Sequence, residues 1–314
     1  MAINWKEEHR LFSDLPPKTK RGVHAIMQDV TFKDGTATHN KTGADVTNLL
    51  DVGMRTTGEQ VHRLKETDEL RKHQIENGKF IFAFFKQLTT LEDRFPTLSK
   101  QDTARLMYLG TFISFGDNRL QSDNGKKHYV KKDIRELVGM SADRFNAFFN
   151  RLKDEDIIRE ADTKELYINP TIFYRGYMKD LEYDVSDMNY TRLFKKTVRE
   201  LYAEFKGRRL AQLSVIYSVI PFLNFNTNIV CYNPEETSED LIRPMDLSRL
   251  TSLLGYKNPS DLKKRLNGIK LDGKPVFGFF ENPHDRRQKR IIVNPGVVFA
   301  GDGEALRSVK AMFN

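Results

Sequence analysis

The sequence predicts an α+β fold, mainly helical, assembled from two copies of one helical module that each close in a two-stranded hairpin, behind a small N-terminal α+β region. Three observations predict it. An eight-residue phrase occurs twice, Asn169-Pro-Thr-Ile-Phe-Tyr-Arg-Gly176 and Asn294-Pro-Gly-Val-Val-Phe-Ala-Gly301. Proline has no N–H to donate and biases the residue before it toward extended backbone, so an Asn-Pro after an apolar strand stops a sheet ladder. Upstream of each copy the same order of elements recurs, as a true repeat requires. Finally, 39% hydrophobic residues with 22 Phe and 11 Tyr supply core material, and 314 residues allow two or three domains of roughly 100 to 200 residues each.

The N-terminal region is taken as residues 1–97. Within it, residues 31–44 read as a loop or small hairpin around Asp34-Gly35. The heavily charged stretch 56–76 reads as a solvated helix. Asn77-Gly78 is a turn signal, and the aromatic run Lys79 to Lys86 after it has period-two tendencies. Together they predict a hairpin around 77–78 that lays one strand here, with a buried helix start as the open alternative.

The first module spans residues 98–176 and the second 190–302. Arg105 to Phe112 aligns with Arg209 to Ile216 as a buried helix, 104 residues apart (Arg105 to Arg209). Next, Asp133 to Gly139 aligns with Asp246 to Gly255, each a short helix broken at glycine. A second helix follows, Ser141 to Leu152 and Ser260 to Asn267, with serine placed to cap the helix N-terminus. Strands Ile157–Glu160 and Glu165–Ile168 close the first copy, Val276–Phe280 and Lys289–Val293 the second. The separation grows to 125 residues at the phrase (Asn169 to Asn294), so insertions fall in loops of the second copy. Residues 177–189 form an acidic connector and 303–314 a C-terminal tail. After the connector, Phe194, Val198, Leu201, Tyr202 and Phe205 make one apolar helix face. Core packing and a dimer seam are both open readings of it.

Helix, short strand, helix, turn, helix, two-stranded hairpin is the order of a winged helix-turn-helix. Three short helices share one core and leave the third free to enter the major groove, while the hairpin, or wing, lies over phosphates or the minor groove. The first copy, running into Leu166-Tyr-Ile-Asn-Pro-Thr-Ile-Phe-Tyr-Arg-Gly176, resembles the RepL-type and related replication proteins of Firmicute plasmids and phages, which close a winged helix with a similar Asn-Pro-x-x-Phe phrase. In architecture, the tandem arrangement resembles the two-winged-helix initiators of iteron plasmids. The resemblance implies binding of double-stranded DNA at a replication origin.

Charge separates the copies. The chain carries a formal +8 with a pI near 9.3, a balance that favours a polyanionic partner. Residues 246–301 hold 11 Lys or Arg against 5 Asp or Glu, and residues 99–176 hold 14 against 12. The second module is therefore expected to be the main reader, and the first a weaker reader or in part a protein interface. Lys263, Lys264 and Arg265 are consecutive, so they fan over about 200° of helix and cannot all face a groove. One or two of them, with Lys263 and Lys264 the candidates, are expected at phosphate, Lys257 is expected in the same DNA-binding set, and Asn258, Ser260 and Asn267 are expected at base edges, which amides and hydroxyls read more selectively. Arg286, Arg287, Lys289 and Arg290 are expected on the wing. The secondary set in the first module is Lys131, Lys132, Arg144, Asn146 and Arg151.

Enzyme signatures fail on chemistry. Gly268 to Lys274 has phosphate-loop spacing, but Pro275 stands where a Mg²⁺-binding hydroxyl belongs. His284-Asp-Arg-Arg287 matches a recombinase His-x-x-Arg, yet no Tyr follows to act as nucleophile. No paired His ligands hold a metal, and the single Cys231 precludes an intrachain disulfide. The expectation is a non-enzymatic protein without metal or cofactor. The N-terminus lacks an apolar signal region and Val215 to Phe225 is too short to span a bilayer, so a cytoplasmic location without membrane association is expected. Three functions fit: a plasmid or phage replication initiator or maintenance protein, a transcriptional regulator of a mobile element, and a scaffold that binds protein. The partners these admit are double-stranded DNA, a second copy as homodimer or multimer on repeated sites, and the replication or transcription machinery.

Overall fold

In a computed structural model, the structure describes residues 13–33, 36–47, 58–205, 207–281 and 289–313. The chain divides into two compact units, residues 1–61 and 62–314. In the first, helix α1 (Pro17–Asp29) leads into strands β1 (Val30–Lys33) and β2 (Thr36–His39), which pair antiparallel from Val30↔His39 to Lys33↔Thr36. This is the expected small hairpin, although its turn residues Asp34 and Gly35 lie outside the described residues. Helix α2 (Gly58–Glu76) begins in the first unit and continues into the second.

The second unit opens with β3 (Phe80–Phe85), short α3 (Leu91–Arg94), α4 (Lys100–Gly110), α5 (Lys131–Val138) and α6 (Ala142–Asp154). The hairpin β4 (Ile158–Glu160) and β5 (Leu166–Ile168) and the return strand β6 (Phe173–Tyr174) follow. The order then recurs: β7 (Asn189–Phe194), α7 (Lys195–Glu204), a 3-10 turn at Gly207–Gln212, α8 (Ser214–Val219), α9 (Leu247–Leu253) and α10 (Pro259–Asn267). A tight hairpin of β8 (Lys270–Leu271) and β9 (Lys274–Pro275) precedes the longer hairpin β10 (Phe277–Glu281) and β11 (Lys289–Val293), then β12 (Val298–Phe299) and α11 (Gly303–Ala311). The fold is α+β. It is not mainly helical as expected, because less than half of the chain is helix: the helices are short and long stretches between them are strands and turns.

Local chemistry explains the helix ends. Ser99 Oγ accepts from Asp102 N at 3.3 Å while the Asp102 carboxylate accepts from Ser99 N at 3.1 Å, a reciprocal cap on α4. The Asp133 carboxylate accepts from Val130 N at the start of α5, and Asp246 caps α9 by accepting from Arg249 N at 2.7 Å. Gly139 and Gly255 end α5 and α9 in the left-handed region, both at φ 64°. In α6, Phe145, Phe148, Phe149 and Leu152 are buried at i, i+3, i+4 and i+7; in α10, Leu262 and Leu266 are.

The duplication is written in hydrogen bonds. Asn118 and Asn228 both adopt positive φ, 59° and 53°, and both are buried. Asn118 Nδ2 donates to the Ile168 and Phe173 carbonyls, and Asn228 Nδ2 to those of Val293 and Val298. Leu120 N donates to Leu166 O and Val230 N to Ile291 O, so each hairpin gains a single-residue bridge on its open edge, Arg119↔Tyr167 and Ile229↔Ile292. In the phrase itself, Asn169 Oδ1 accepts from Thr171 N and Asn294 Oδ1 from Gly296 N. Phe84 N then reaches Ile172 O, as Phe194 N reaches Val297 O. Each Asn-Pro phrase is thus the corner that carries the chain from hairpin to return strand.

These bonds also correct the helix alignment. Gln121 N donates to Phe112 O, and Cys231 N to Phe222 O, so Phe112 corresponds to Phe222 and not to Ile216. An apolar helix repeats every three or four residues, so several registers fit it equally well from sequence.

The modules meet in a four-stranded sheet of order β12-β7-β3-β6. On its module's return strand, Phe82 pairs with Tyr174 and Ala83 with Phe173; likewise Arg192 pairs with Phe299 and Leu193 with Val298. Phe82 and Arg192 are therefore counterparts, and in the central antiparallel pair they face each other, flanked by Ile81↔Leu193 and Ala83↔Thr191. A pair made of counterparts is unchanged when the modules are exchanged. A local two-fold axis runs through it.

Three further expectations are decided. Asn77-Gly78 is no hairpin turn but a helix-to-strand corner between α2 and β3, with Gly78 at φ 75°, where an added Cβ would lie 2.6 Å from Lys196 Cβ. The strand after it forms as expected. The apolar face of α7 is interior: Val198, Leu201 and Phe205 are buried, and Tyr202 stacks on Tyr108 at 3.9 Å, which leaves no dimer seam there. The C-terminal tail is structured over its described residues, 303–313: α11 buries Leu306 and Val309 and is followed by buried Phe313.

Candidate nucleic-acid interface

Helix α10 stands on Leu262 and Leu266, and this orientation fixes what it shows outward. Ser260, Lys263, Lys264 and Asn267 are all exposed, and at i, i+3, i+4 and i+7 they share one face. Its cap is Asn258, not Ser260 as expected: Asn258 Oδ1 accepts from Asp261 N at 2.8 Å, with Pro259 at the first helical position. Asn258 is exposed, but its acceptor is committed to its own helix. Lys257 is exposed just ahead of it.

The helix's one carboxylate is turned aside. Asp261 pairs with Arg265 Nε at 3.2 Å, and Arg265 lies over the Tyr256 ring at 5.5 Å, so this residue leaves the outward face. Among the described residues, neither Lys263 nor Lys264 has a carboxylate within ion-pair distance. Lys263 Nζ sits 5.6 Å from the centre of the Phe279 ring on β10, which brings the helix face against the hairpin. Lys270 in β8 and Arg249 in α9 are exposed as well. In the sequence both enter only the charge balance, since neither lies in a segment expected as helix face or wing.

The hairpin keeps fewer of its expected residues. Arg286 and Arg287 lie outside the described residues, and of Lys289 only the backbone, in β11, is described. Arg290 is not a wing-tip cation. Its side chain is only 14% exposed and Nη1 pairs with Glu239 at 2.7 Å, so its charge is already matched within the chain.

In the first module the secondary set divides. Lys132, Arg144 and Asn146 are exposed. Lys131 reaches over the Phe149 ring at 4.8 Å. Arg151 is withdrawn from any outward role: Nε and Nη2 donate to Asp102 Oδ2 at 3.1 and 2.8 Å, and Asp102 is buried at the cap of α4. Removing water from that carboxylate is what makes Arg151 a structural partner. The outward face of α6, one helical turn at a time, is Asp143, Asn146, Ala147 and Asn150. It holds no cation.

Among the described residues no group of three or more His, Cys, Asp or Glu side chains could hold a metal ion, and no helix is long and apolar enough to cross a membrane. Cys231 is buried and burial pushes its thiol up to about 11, away from nucleophilic use near neutral pH. No known protein family, curated protein or solved structure matches the chain.

Proposed function

We propose that this chain binds double-stranded DNA at a specific site through two tandem winged helix-turn-helix modules, and that it serves as a replication initiator or maintenance protein of a plasmid or phage. One observation carries the DNA reading: the outward face of α10, with Lys263 and Lys264 bearing no counter-charge among the described residues, flanked by Ser260 and Asn267 and set against the hairpin strand at Phe279. Two cations between two short polar groups suit a groove, because phosphates take the cations and base edges take the hydroxyl and amide. The initiator role rests on the resemblance of the Asn-Pro phrase.

A salt titration tests the binding. Each phosphate neutralised contributes about −0.9 to the slope of log K against log salt, so Lys263→Ala/Lys264→Ala should flatten the slope by about two units. Equal behaviour of variant and parent removes α10 from the interface, and absence of duplex binding by the parent points to a protein scaffold. Footprinted repeats whose replicon fails on deletion of the chain support initiation; changed transcript levels with replication intact assign the same modules to an operator.

A further inference from the structure

We infer that the DNA site is an imperfect inverted repeat, read at one half by the basic face of α10 and at the other by the uncharged amides of α6. This rests on the DNA-binding reading above and goes beyond it. The two-fold axis through the Phe82–Arg192 pair relates the modules, and the duplicated bonds at Asn118 and Asn228 hold each hairpin and return strand alike. Phe145 and Leu262, Phe149 and Leu266, and Leu152 and Ile269, the last just past the end of α10, occupy matching buried positions. The two helices are therefore two-fold mates. Two helices so related meet a duplex at half-sites of opposite sense, about one helical turn apart.

Matching the buried positions also matches the exposed ones: Asp143 with Ser260, Asn146 with Lys263, Ala147 with Lys264, and Asn150 with Asn267. Asparagine pairs bidentately with adenine N6 and N7, so Asn150 and Asn267 ask for an adenine at the mirrored position of both halves. At the next position the halves part. Asn146 asks for a second adenine where Lys263 takes a phosphate, and Ala147 offers a methyl contact to thymine where Lys264 takes a phosphate. Asp143 accepts from the cytosine amino group. This face of α6 thus adds discrimination without releasing counterions, which is a different role from a weak copy of the face of α10.

The test is selection from duplexes with about 30 randomised base pairs, roughly three helical turns, by the full chain and by Asn150→Ala, Asn146→Ala and Asn267→Ala. Two inverted blocks sharing one adenine are expected. Asn267→Ala should relax that adenine in one block, and Asn150→Ala in the other, each with about 10-fold to 100-fold weaker binding to the parent site. The salt slope should not change in Asn146→Ala or Asn150→Ala. A single block, direct repeats, or Asn150→Ala selecting the parent sequence overturns the inference while leaving DNA binding standing. Failure to enrich any duplex instead overturns the reading beneath it.

Discussion

Replacing Asn118 by alanine is the most direct way to ask whether the repeated corner holds the module together. Asn118 is fully buried, sits at φ 59°, and donates both amide hydrogens, to the Ile168 carbonyl at the end of β5 and to the Phe173 carbonyl in β6. Alanine removes both bonds, each contributing about 1 kcal/mol net. It also places an ordinary L-residue in left-handed backbone, which costs about 1–2 kcal/mol and which asparagine tolerates better. The sum is about 3–4 kcal/mol, or a fall in Tm on the order of 10 °C for a chain of this size. Asn118→Gly isolates the backbone part: it loses the same bonds but no longer strains, so it should recover about 1 kcal/mol. Urea unfolding at constant m reads both differences. The same pair of substitutions at Asn228, 1% exposed at φ 53° with bonds to Val293 and Val298, should reproduce the pattern. A loss under about 1 kcal/mol at either position, or alanine and glycine behaving alike, would refute the reasoning from donors and φ.

Arg151→Ala should destabilise by about 2 kcal/mol, because it strips a bidentate partner from buried Asp102, yet leave the salt slope of DNA binding unchanged; a flatter slope would return Arg151 to the interface. Gly110→Ala should also destabilise, by about 1–3 kcal/mol in spite of alanine's better helix propensity, since the new Cβ would stand 2.6 Å from the buried Phe173 ring; a gain in urea midpoint would contradict it. Burial pushes the Lys195 ammonium down to about 8, against the pull of Asp123 at 3.4 Å. The folded chain then holds this proton less tightly than the unfolded one, so folding is opposed below pH 8 and the opposition fades as pH rises from about 8 toward the unfolded value of about 10.4. Lys195→Met should raise stability at neutral pH and lose that rise; parallel stability-against-pH curves for the two proteins would sink the assignment.

What was legible in the sequence was what neighbours in the chain decide. The Asn-Pro phrase, the glycine ends of α5 and α9, and the faces of α6 and α10 follow from constraints spanning fewer than ten residues, and the structure places them there. The central sheet was not legible: β6 and β12 are two residues long, and β3 finds β7 across a whole module, so no local alternation announces the pairing. Cations were misread for the same reason. Arg151 reaches Asp102 across 49 positions and Arg290 reaches Glu239 across 51, and a composition count cannot tell such an arginine from a solvated one. Asn118 and Asn228 could have been noticed, since both stand a few residues before a strand partner in register with the repeat. Their positive φ, which asparagine tolerates, was the missing signal.

Duplicated scaffold and divergent surface have one physical origin. The bonds common to both modules use backbone groups and inward asparagine amides, so a change at Asn118 or Asn228 leaves buried acceptors unpaired both in a hairpin and in the sheet that the two modules share. Positions 146 and 263, or 147 and 264, take no part in those bonds and face outward, where substitution costs little stability. Charge could therefore accumulate on α10 while α6 kept amides and a methyl, without disturbing the two-fold frame that presents them. The same frame limits the outcome: as long as Phe82 pairs with Arg192, the two faces remain mates, and a duplex that met both would be met in opposite senses.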